Sequence, residues 1–378
     1  MSGMRVSMVV AERSGDQLAA LLLGGMKQAW PDLSASGIGG PQMEALGFAS
    51  RWSCDELSVR GLVEALMRYR RITGIRQQLI DDLLQNPPDL FVGVDASDFN
   101  LTVERALNQR GIPAIQLVCP SIWAWRMDRV EKLQRSCDHV LCIFPFEPAL
   151  LAQHGIPATY VGHPLANVIP QVPDKAAARL ALGLGEGDEV LAVLPGSRSS
   201  EVKYLADVFF QAARRVQQAR PGLKLVVPAI PALRSAIEAA ARRAGLSRDL
   251  VILDGQSHAA LAACDLTLIA SGTATLEAAL FKRPMVIAYR MNALSWQIMK
   301  RQSLQPWVGL PNILLREMAV PELLQQAASP EGLAREVLAW LDSPARMAAV
   351  QQKFDALHHE LRRDTATLAS DAIAHVLS

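Results

Sequence analysis

The residues of this chain best suited to chemistry gather in short polar stretches, each directly after an apolar run. In Gly93-Val94-Asp95-Ala96-Ser97-Asp98-Phe99-Asn100, two carboxylates stand three residues apart. One can take a proton from a hydroxyl while the other orients that hydroxyl or its partner, which is general-base work. The competing reading makes Asp98 the cap of the helix that follows. Asp95 is the better base by position, because it leaves the apolar run directly.

Two other stretches suit an anion. In Leu194-Pro195-Gly196-Ser197-Arg198-Ser199-Ser200-Glu201, Gly196 permits close backbone approach and three serines can donate hydrogen bonds. The start of the next helix favours negative charge, and Arg198 can fork onto phosphate oxygens. The bland reading is a capped turn with a solvated arginine. Ala270-Ser271-Gly272-Thr273-Ala274-Thr275-Leu276-Glu277 has the same build. Glu277 lies one helical turn in, where a carboxylate can accept from two vicinal ribose hydroxyls. Its bland reading is a capping box, with Thr273 or Ala274 at the cap and Glu277 reaching back. Taken together, at equivalent strand ends of one sheet, the two loops favour a nucleotide diphosphate. Neither is a Walker A loop, since GxxxxGK[ST] does not occur.

Three stretches are more ambiguous. In Val10-Ala11-Glu12-Arg13-Ser14-Gly15-Asp16, Ser14 and Gly15 can lie beside a ligand, but the dinucleotide pattern GxGxxG is missing. Gly37-Ile38-Gly39-Gly40-Pro41 comes a whole βα unit too late and has the wrong spacing. Pro120-Ser121-Ile122-Trp123-Ala124-Trp125-Arg126 offers a sugar platform or simple aromatic packing. From Arg60 to Ile72, Leu62, Leu66 and Tyr69 fall at helical spacing with bases crowded at one end. That suits a helix on anionic lipid, although a core helix with a basic edge is commoner.

The elements that must position these stretches alternate along the chain. Apolar runs without period-two polarity, at Val6–Val10, Leu90–Val94, Ala114–Val118 and Val140–Phe144, read as strands covered on both faces. Helical patterns run over Gly15–Trp30, Phe99–Gln109 and Met127–Arg135. Gly162–Pro173 carries three prolines and no period, so it reads as a linker. Alternation then restarts, with strands at Val190–Leu194, Leu223–Pro228, Val251–Leu253, Leu266–Ala270 and Met285–Ala288. From Pro330 onward the pattern is helical. The expectation is an α/β chain of two Rossmann-like, doubly wound domains, residues 1–165 and 174–378, facing each other across a cleft. The terminal helices close the second domain and are free to pack back on the first.

Bulk properties narrow the function. With 378 residues, 50% hydrophobic and 20% charged, the chain can bury large cores and is not disordered. A net charge of +1 gives no global attraction to nucleic acid. Five cysteines without a CxxC pair argue against a disulfide framework or zinc site and for a reducing compartment. The seven histidines show no metal-ligand spacing. No apolar run reaches the ~18–20 residues that span a bilayer, and Met1 to Arg5 does not start a signal peptide.

As an ordered set the motifs resemble the lipid-A-disaccharide synthase family, inverting glycosyltransferases of GT-B fold. The likeness runs from about Met4 to the C-terminal helices. It includes Ser14-Gly15-Asp16, Gly39-Gly40-Pro41, Asp95 to Asn100, Pro120 to Arg126, Phe144-Pro145-Phe146-Glu147, Gly162-His163-Pro164, Pro195 to Arg198, Ala270 to Glu277, Tyr289-Arg290 and Leu310-Pro311-Asn312. The resemblance implies transfer of the sugar of UDP-2,3-diacylglucosamine to 2,3-diacylglucosamine 1-phosphate. The products are the β-(1→6) disaccharide 1-phosphate of lipid A and UDP, with no metal and no cofactor. It implies that Asp95, with Asp98 beside it, acts as or supports the base on the acceptor 6-hydroxyl. It places Arg198 and Glu277 at the UDP, with Ser197, Ser271, Gly272, Thr273 and Asn312 lining that pocket and Ser14 and Gly15 within the donor's reach.

Acylated substrates come from a bilayer. The resemblance therefore makes Leu62, Val63, Leu66 and Met67 contacts to the cytoplasmic face of the inner membrane, for a cytoplasmic, peripherally attached enzyme. It leaves a homodimer open. The family usually has Gly where Ala11 stands, Pro for Ser97 and an apolar residue for Arg60, and Ala-Gly-Arg for Leu315-Arg316-Glu317. Competing functions are another UDP-GlcNAc transferase or epimerase on the same frame, and a non-catalytic nucleotide-sugar sensor.

Overall fold

The computed structural model describes residues 3–58, 62–124, 127–246 and 250–378, apart from the side chains of Arg13, Ser14, residues 62–67, Leu294 and Ile298. The chain forms two compact units, Met1–Pro164 with Leu361–Ser378, and Leu165–Glu360.

The first unit runs β1 (Arg5–Val9), α1 (Arg13–Ala29), β2 (Ser34–Gly39), α2 (Pro41–Glu44), β3 (Ala49–Ser53), α3 (Leu62–Gln85), β4 (Leu90–Val94), α4 (Ser97–Asn108), β5 (Ala114–Leu117), α5 (Arg129–Gln134), β6 (His139–Cys142), α6 (Glu147–Ala152) and β7 (Ala158–Tyr160). Its strands lie parallel in the order β3-β2-β1-β4-β5-β6-β7. Every residue of β4, β5 and β6 is buried, as unbroken apolar runs between two helical layers require. One core, with Met8, Leu22, Met26 and Val92, also takes in Ile373 of the C-terminal helix. A second, with Phe91, Phe99, Leu79 and Val103, seats α3 and α4 on the opposite face.

The second unit runs α7 (Pro164–Val168), α8 (Lys175–Ala181), β8 (Val190–Leu194), α9 (Ser199–Ala219), β9 (Lys224–Ala229), α10 (Arg234–Arg243), β10 (Leu250–Asp254), α11 (Ser257–Ala263), β11 (Leu266–Ala270), α12 (Thr273–Leu280), β12 (Met285–Tyr289), α13 (Ala293–Gln302), α14 (Leu310–Leu315), β13 (Glu322–Leu324), α15 (Pro330–Leu341) and α16 (Pro344–Leu361). The last helix, α17 (Thr365–Leu377), belongs to the first unit. The parallel order here is β10-β9-β8-β11-β12-β13.

Each sheet therefore reverses its strand order once, between β1 and β4 in the first unit and between β8 and β11 in the second. At such a reversal the two following loops part and open a crevice at the carboxyl ends of the strands. The loops after β1, β4, β8 and β11 are those that the sequence marks as carrying chemistry.

Four strands depart from the sequence reading. β2, with the sequence SASGIG, lacks β-branched residues except Ile38, and Gly37 adopts φ 141° at a register shift against β3. A side chain at Gly37 would strike the Met8 carbonyl, so glycine is needed there. β3 is a half-exposed edge, and β7 and β13 have three residues each. The segment read as a linker contains α7, which Pro164 starts at the position where a helix tolerates proline.

Candidate active site

In the first unit the chain leaves β4 through two consecutive left-handed residues, Asp95 at φ 52° and Ala96 at φ 40°. Non-glycine residues resist this conformation, and its presence at a strand end marks a position fixed by its surroundings. Those surroundings are hydrogen bonds. The Asp95 N–H donates to the Leu117 carbonyl at 2.9 Å. The Asp95 carbonyl accepts from Asn100 Nδ2 at 3.0 Å and from Gln116 Nε2 at 2.9 Å.

The turn aims the Asp95 side chain into a cavity of about 520 Å³, walled by Glu12, Gly15, Tyr69, Arg76, Asp98 and Arg129 among others. The carboxylate is open to this cavity but stands on its floor. Loss of water there raises its pKa above the ordinary value, against smaller pulls from the Ala96 N–H and the Arg129 charge.

Asp98 is placed differently. The N-cap of α4 is Ala96, so Asp98 does not cap the helix. Its Oδ2 pairs with Arg129 at 2.6 Å, and Arg129 also donates to Ser97 Oγ at 2.7 Å. Of the two carboxylates, Asp98 is thus held by a guanidinium, while Asp95 has a raised affinity for protons. Arg129 and Arg76 escaped the sequence reading, and Tyr69 was read only as part of a helix face, because no local spacing links them to Asp95.

In the second unit a pocket of about 280 Å³ joins the loops after β8 and β11 and brings together Ser197, Arg198, Ser271, Gly272, Thr273 and Glu277. The loop after β8 does not present all its amides. Glu201 Oε2 accepts the Ser197 N–H at 2.8 Å and the Arg198 N–H at 3.2 Å, so a side-chain carboxylate already occupies that helix start. Gly196 is needed for φ 127° and because a Cβ there would meet Glu201. Arg198 lines the pocket. It holds Glu201 Oε1 at 3.0 Å, yet its side chain is 75% exposed, which leaves the guanidinium fork reachable.

The loop after β11 is more open. Gly272 is the N-cap of α12 and no side chain caps that helix. A Cβ at Gly272 would meet nothing within 4 Å, so the space over this helix start is clear. The capping-box alternative for Glu277 does not form; its carboxylate lies 3.4 Å from His258 Nε2. Ser271 Oγ donates to the Val308 carbonyl at 2.8 Å and retains acceptor capacity.

One site expectation changes. Asn312 is fully buried away from the pocket, donating to the Val320 carbonyl and Glu322 and accepting from the Val320 N–H. It braces the turn between α14 and β13 rather than lining a ligand site. Gly15 lies on the Asp95 cavity of the first unit. Ser14 shares its helix start, and its side chain is outside the described residues. Asp16 is structural, since its carboxylate caps α2 through the Gln42 and Met43 amides at 3.0 and 3.1 Å. Trp123 is buried, donates to Glu147 and packs edge-on against Phe146, so it is packing and not a platform. Trp125 and Arg126 lie outside the described residues. So do the side chains of Leu62, Val63, Leu66 and Met67, whose backbone begins α3.

Two units of parallel sheet and flanking helices are the α/β fold of the GT-B glycosyltransferases. Solved structures share it at low identity. A UDP-GlcNAc 2-epimerase from Neisseria meningitidis bound to UDP-GlcNAc gives a TM-score of 0.61 at 11% identity, covering 99% of both chains. The Acinetobacter baumannii protein MurG gives 0.60 at 15%, covering 98% of this chain and 99% of that one.

The sequence comparison is far closer. A family model described as lipid-A-disaccharide synthetase matches residues 6–374, and the chain belongs to that family. It is 62% identical over 379 residues to a lipid-A-disaccharide synthase of Albidiferax ferrireducens, covering 99% of this chain and 97% of that one. It is 58% identical over 380 residues to that of Verminephrobacter eiseniae, covering 99% and 98%. Its activity is the glycosyl transfer that makes the lipid A disaccharide, with substrates of UDP-sugar type. The epimerase and sensor readings are not favoured. Among the described residues no helix is long and apolar enough to cross a membrane.

Proposed function

We propose that the two cavities divide the transfer between them. The second-unit pocket takes the UDP of UDP-2,3-diacylglucosamine, and the first-unit cavity takes 2,3-diacylglucosamine 1-phosphate with its 6-hydroxyl at Asp95. Asp95 removes the hydroxyl proton as the oxygen attacks the anomeric carbon from the face opposite the diphosphate, which inverts that carbon. The observation that carries this reading is the Asp95 turn, a strained left-handed pair that points one carboxylate of raised proton affinity into a cavity. Asp98 steadies Arg129, whose charge helps orient the acceptor.

At the donor, Arg198 and the uncapped start of α12 at Gly272 and Thr273 neutralise the diphosphate as it leaves. Ser197 and Ser271 supply hydroxyls, and Glu277 accepts from the ribose. Asn312 supports this end from behind. Support also comes from the Neisseria meningitidis structure, which holds UDP-GlcNAc on the same fold. We place the acyl chains against the start of α3, where Leu62, Val63, Leu66 and Met67 form an apolar stripe in the sequence beside Arg68, Arg70 and Arg71. That stripe would meet the cytoplasmic face of the inner membrane.

The test is titration of UDP into the wild type, Arg198→Ala and Glu277→Gln. Arg198→Ala should weaken binding about 10–100-fold and Glu277→Gln about 3–10-fold. Unchanged affinity in both variants would remove the UDP from this pocket.

A further inference from the structure

The hydrogen bonds that fix Asp95 begin in a sealed polar cluster beneath it. Asn100 and Gln116 each point an amide NH2 at the Asp95 carbonyl. The Gln116 amide oxygen, Oε1, lies beside Glu104 Oε1, both within 3 Å of where a side chain on Gly93 would begin. Asn100, Glu104 and Gln116 are all fully buried. Asn100 Oδ1, Gln116 Oε1 and both Glu104 oxygens meet no donor among the described residues. The room for this cluster comes from Gly93 on β4. A Cβ there would stand 2.1 Å from Glu104 Oε1 and 2.8 Å from Gln116 Oε1.

Two buried acceptors side by side without a donor, Glu104 Oε1 and Gln116 Oε1, are a costly arrangement. A proton on Glu104 relieves it, because the carboxyl then donates one hydrogen bond, which the adjacent Gln116 Oε1 accepts. The Gln116 amide is coupled to that proton. While Glu104 is neutral, it holds the Gln116 amide oxygen toward itself and leaves the Gln116 NH2 on the Asp95 carbonyl. If Glu104 ionises, it draws that NH2 inward and releases the carbonyl.

We propose that Glu104 is a positioning residue for the transfer, its carboxyl hydrogen locking Gln116 in the orientation that, together with Asn100, holds Asp95 in its left-handed turn. Burial agrees with this role, since it raises the Glu104 pKa to about 8. The other titratable groups around it do not compete in that range. The Cys137 thiol, from the turn before β6, is held well above its usual value by burial first and then by Glu104 and Asp138. The Cys119 thiol after β5 is likewise raised by burial. On the side of Gln116 away from Glu104 stands Asp95 itself. The inference rests on Asp95 being the acceptor base.

The experiment is the pH profile of kcat for the full chain with both acylated substrates, in the wild type, Glu104→Gln and Glu104→Leu, with Asp95→Asn alongside. A glutamine can donate to the Gln116 amide oxygen and cannot ionise. Glu104→Gln should keep kcat within about threefold near neutral pH and lack the alkaline fall expected of the wild type near pH 8. Glu104→Leu should lose about tenfold or more in kcat with UDP affinity kept. Should the leucine variant fail to fold, the glutamine profile decides alone. An alkaline fall that persists unchanged in Glu104→Gln would overturn the proposal, as would a Glu104→Gln as inactive as Glu104→Leu. Full activity in Asp95→Asn would instead overturn the base assignment, independently of how Glu104→Gln behaves.

Discussion

The turn after β4 and the turn after β11 leave their sheets at equivalent places, the points where strand order reverses, yet they are built in opposite ways. After β4 the chain is forced into two left-handed residues, and buried amides of Asn100 and Gln116 hold it there. One carboxylate is fixed at one point. After β11 the backbone is relaxed, no side chain caps the helix, and nothing stands over Gly272. A whole helix start is left clear for a bulky anion. A base must be aimed, whereas a diphosphate needs only a concave surface of donors and positive charge. The same fold supplies both by changing what backs the loop.

That contrast can be broken by experiment, the largest effect first. Asp95→Asn should lower kcat at least ~10²-fold in disaccharide assays, because the amide cannot take a proton. A fall of less than about tenfold would remove Asp95 as the base. Arg198→Ala should act on UDP affinity and also on kcat, since the guanidinium meets charge that grows as UDP departs.

Stability separates the two sites further. An unfolded Glu104 ionises near 4.5, but the folded protein keeps its proton to about 8. Between these values the folded state binds the extra proton, so this group's contribution to stability is lost as pH rises. Glu104→Gln should therefore gain on the wild type as pH climbs through that window, by on the order of 1–3 kcal/mol near neutrality, and gain little below about pH 4.5. Thermal melts at several pH values measure this. A gain that does not change with pH would mean that Glu104 is not a buried acid.

The smallest effect concerns Arg316, which caps α14 at φ 55° where the family usually has glycine. Arg316→Gly should stabilise the second unit by about 0.5–1 kcal/mol, the left-handed strain relieved less the added freedom of the unfolded chain. Catalysis should not change.

The sequence showed the strands that are buried on both faces, because β4, β8 and β11 are unbroken apolar runs whose burial needs no further information. It also showed the loops at their carboxyl ends, where Asp95 lines one cavity and Arg198 and Glu277 another. It did not show β2, whose pairing depends on Gly37 passing the Met8 carbonyl and not on β-propensity. It gave Asn312 the wrong face, since a buried asparagine bracing Val320 and one reaching a ligand look alike in sequence. Partnerships across the sheet, such as Asp98 with Arg129, depend on βα connections that bring distant residues together, and no spacing rule reports them. The amides of Ser197 and Arg198 were read as open to phosphate, although Glu201 already accepts them, because a glutamate three residues into a helix is a cap as readily as a bystander.

The division between an aimed base and an open anion cradle is tested most directly by the UDP affinity of Asp95→Asn. If the two sites hold separate jobs, calorimetric titration should give the wild-type affinity within about twofold in a variant whose turnover has collapsed. A loss of UDP affinity matching the loss of kcat would contradict the account and make Asp95 part of the nucleotide grip.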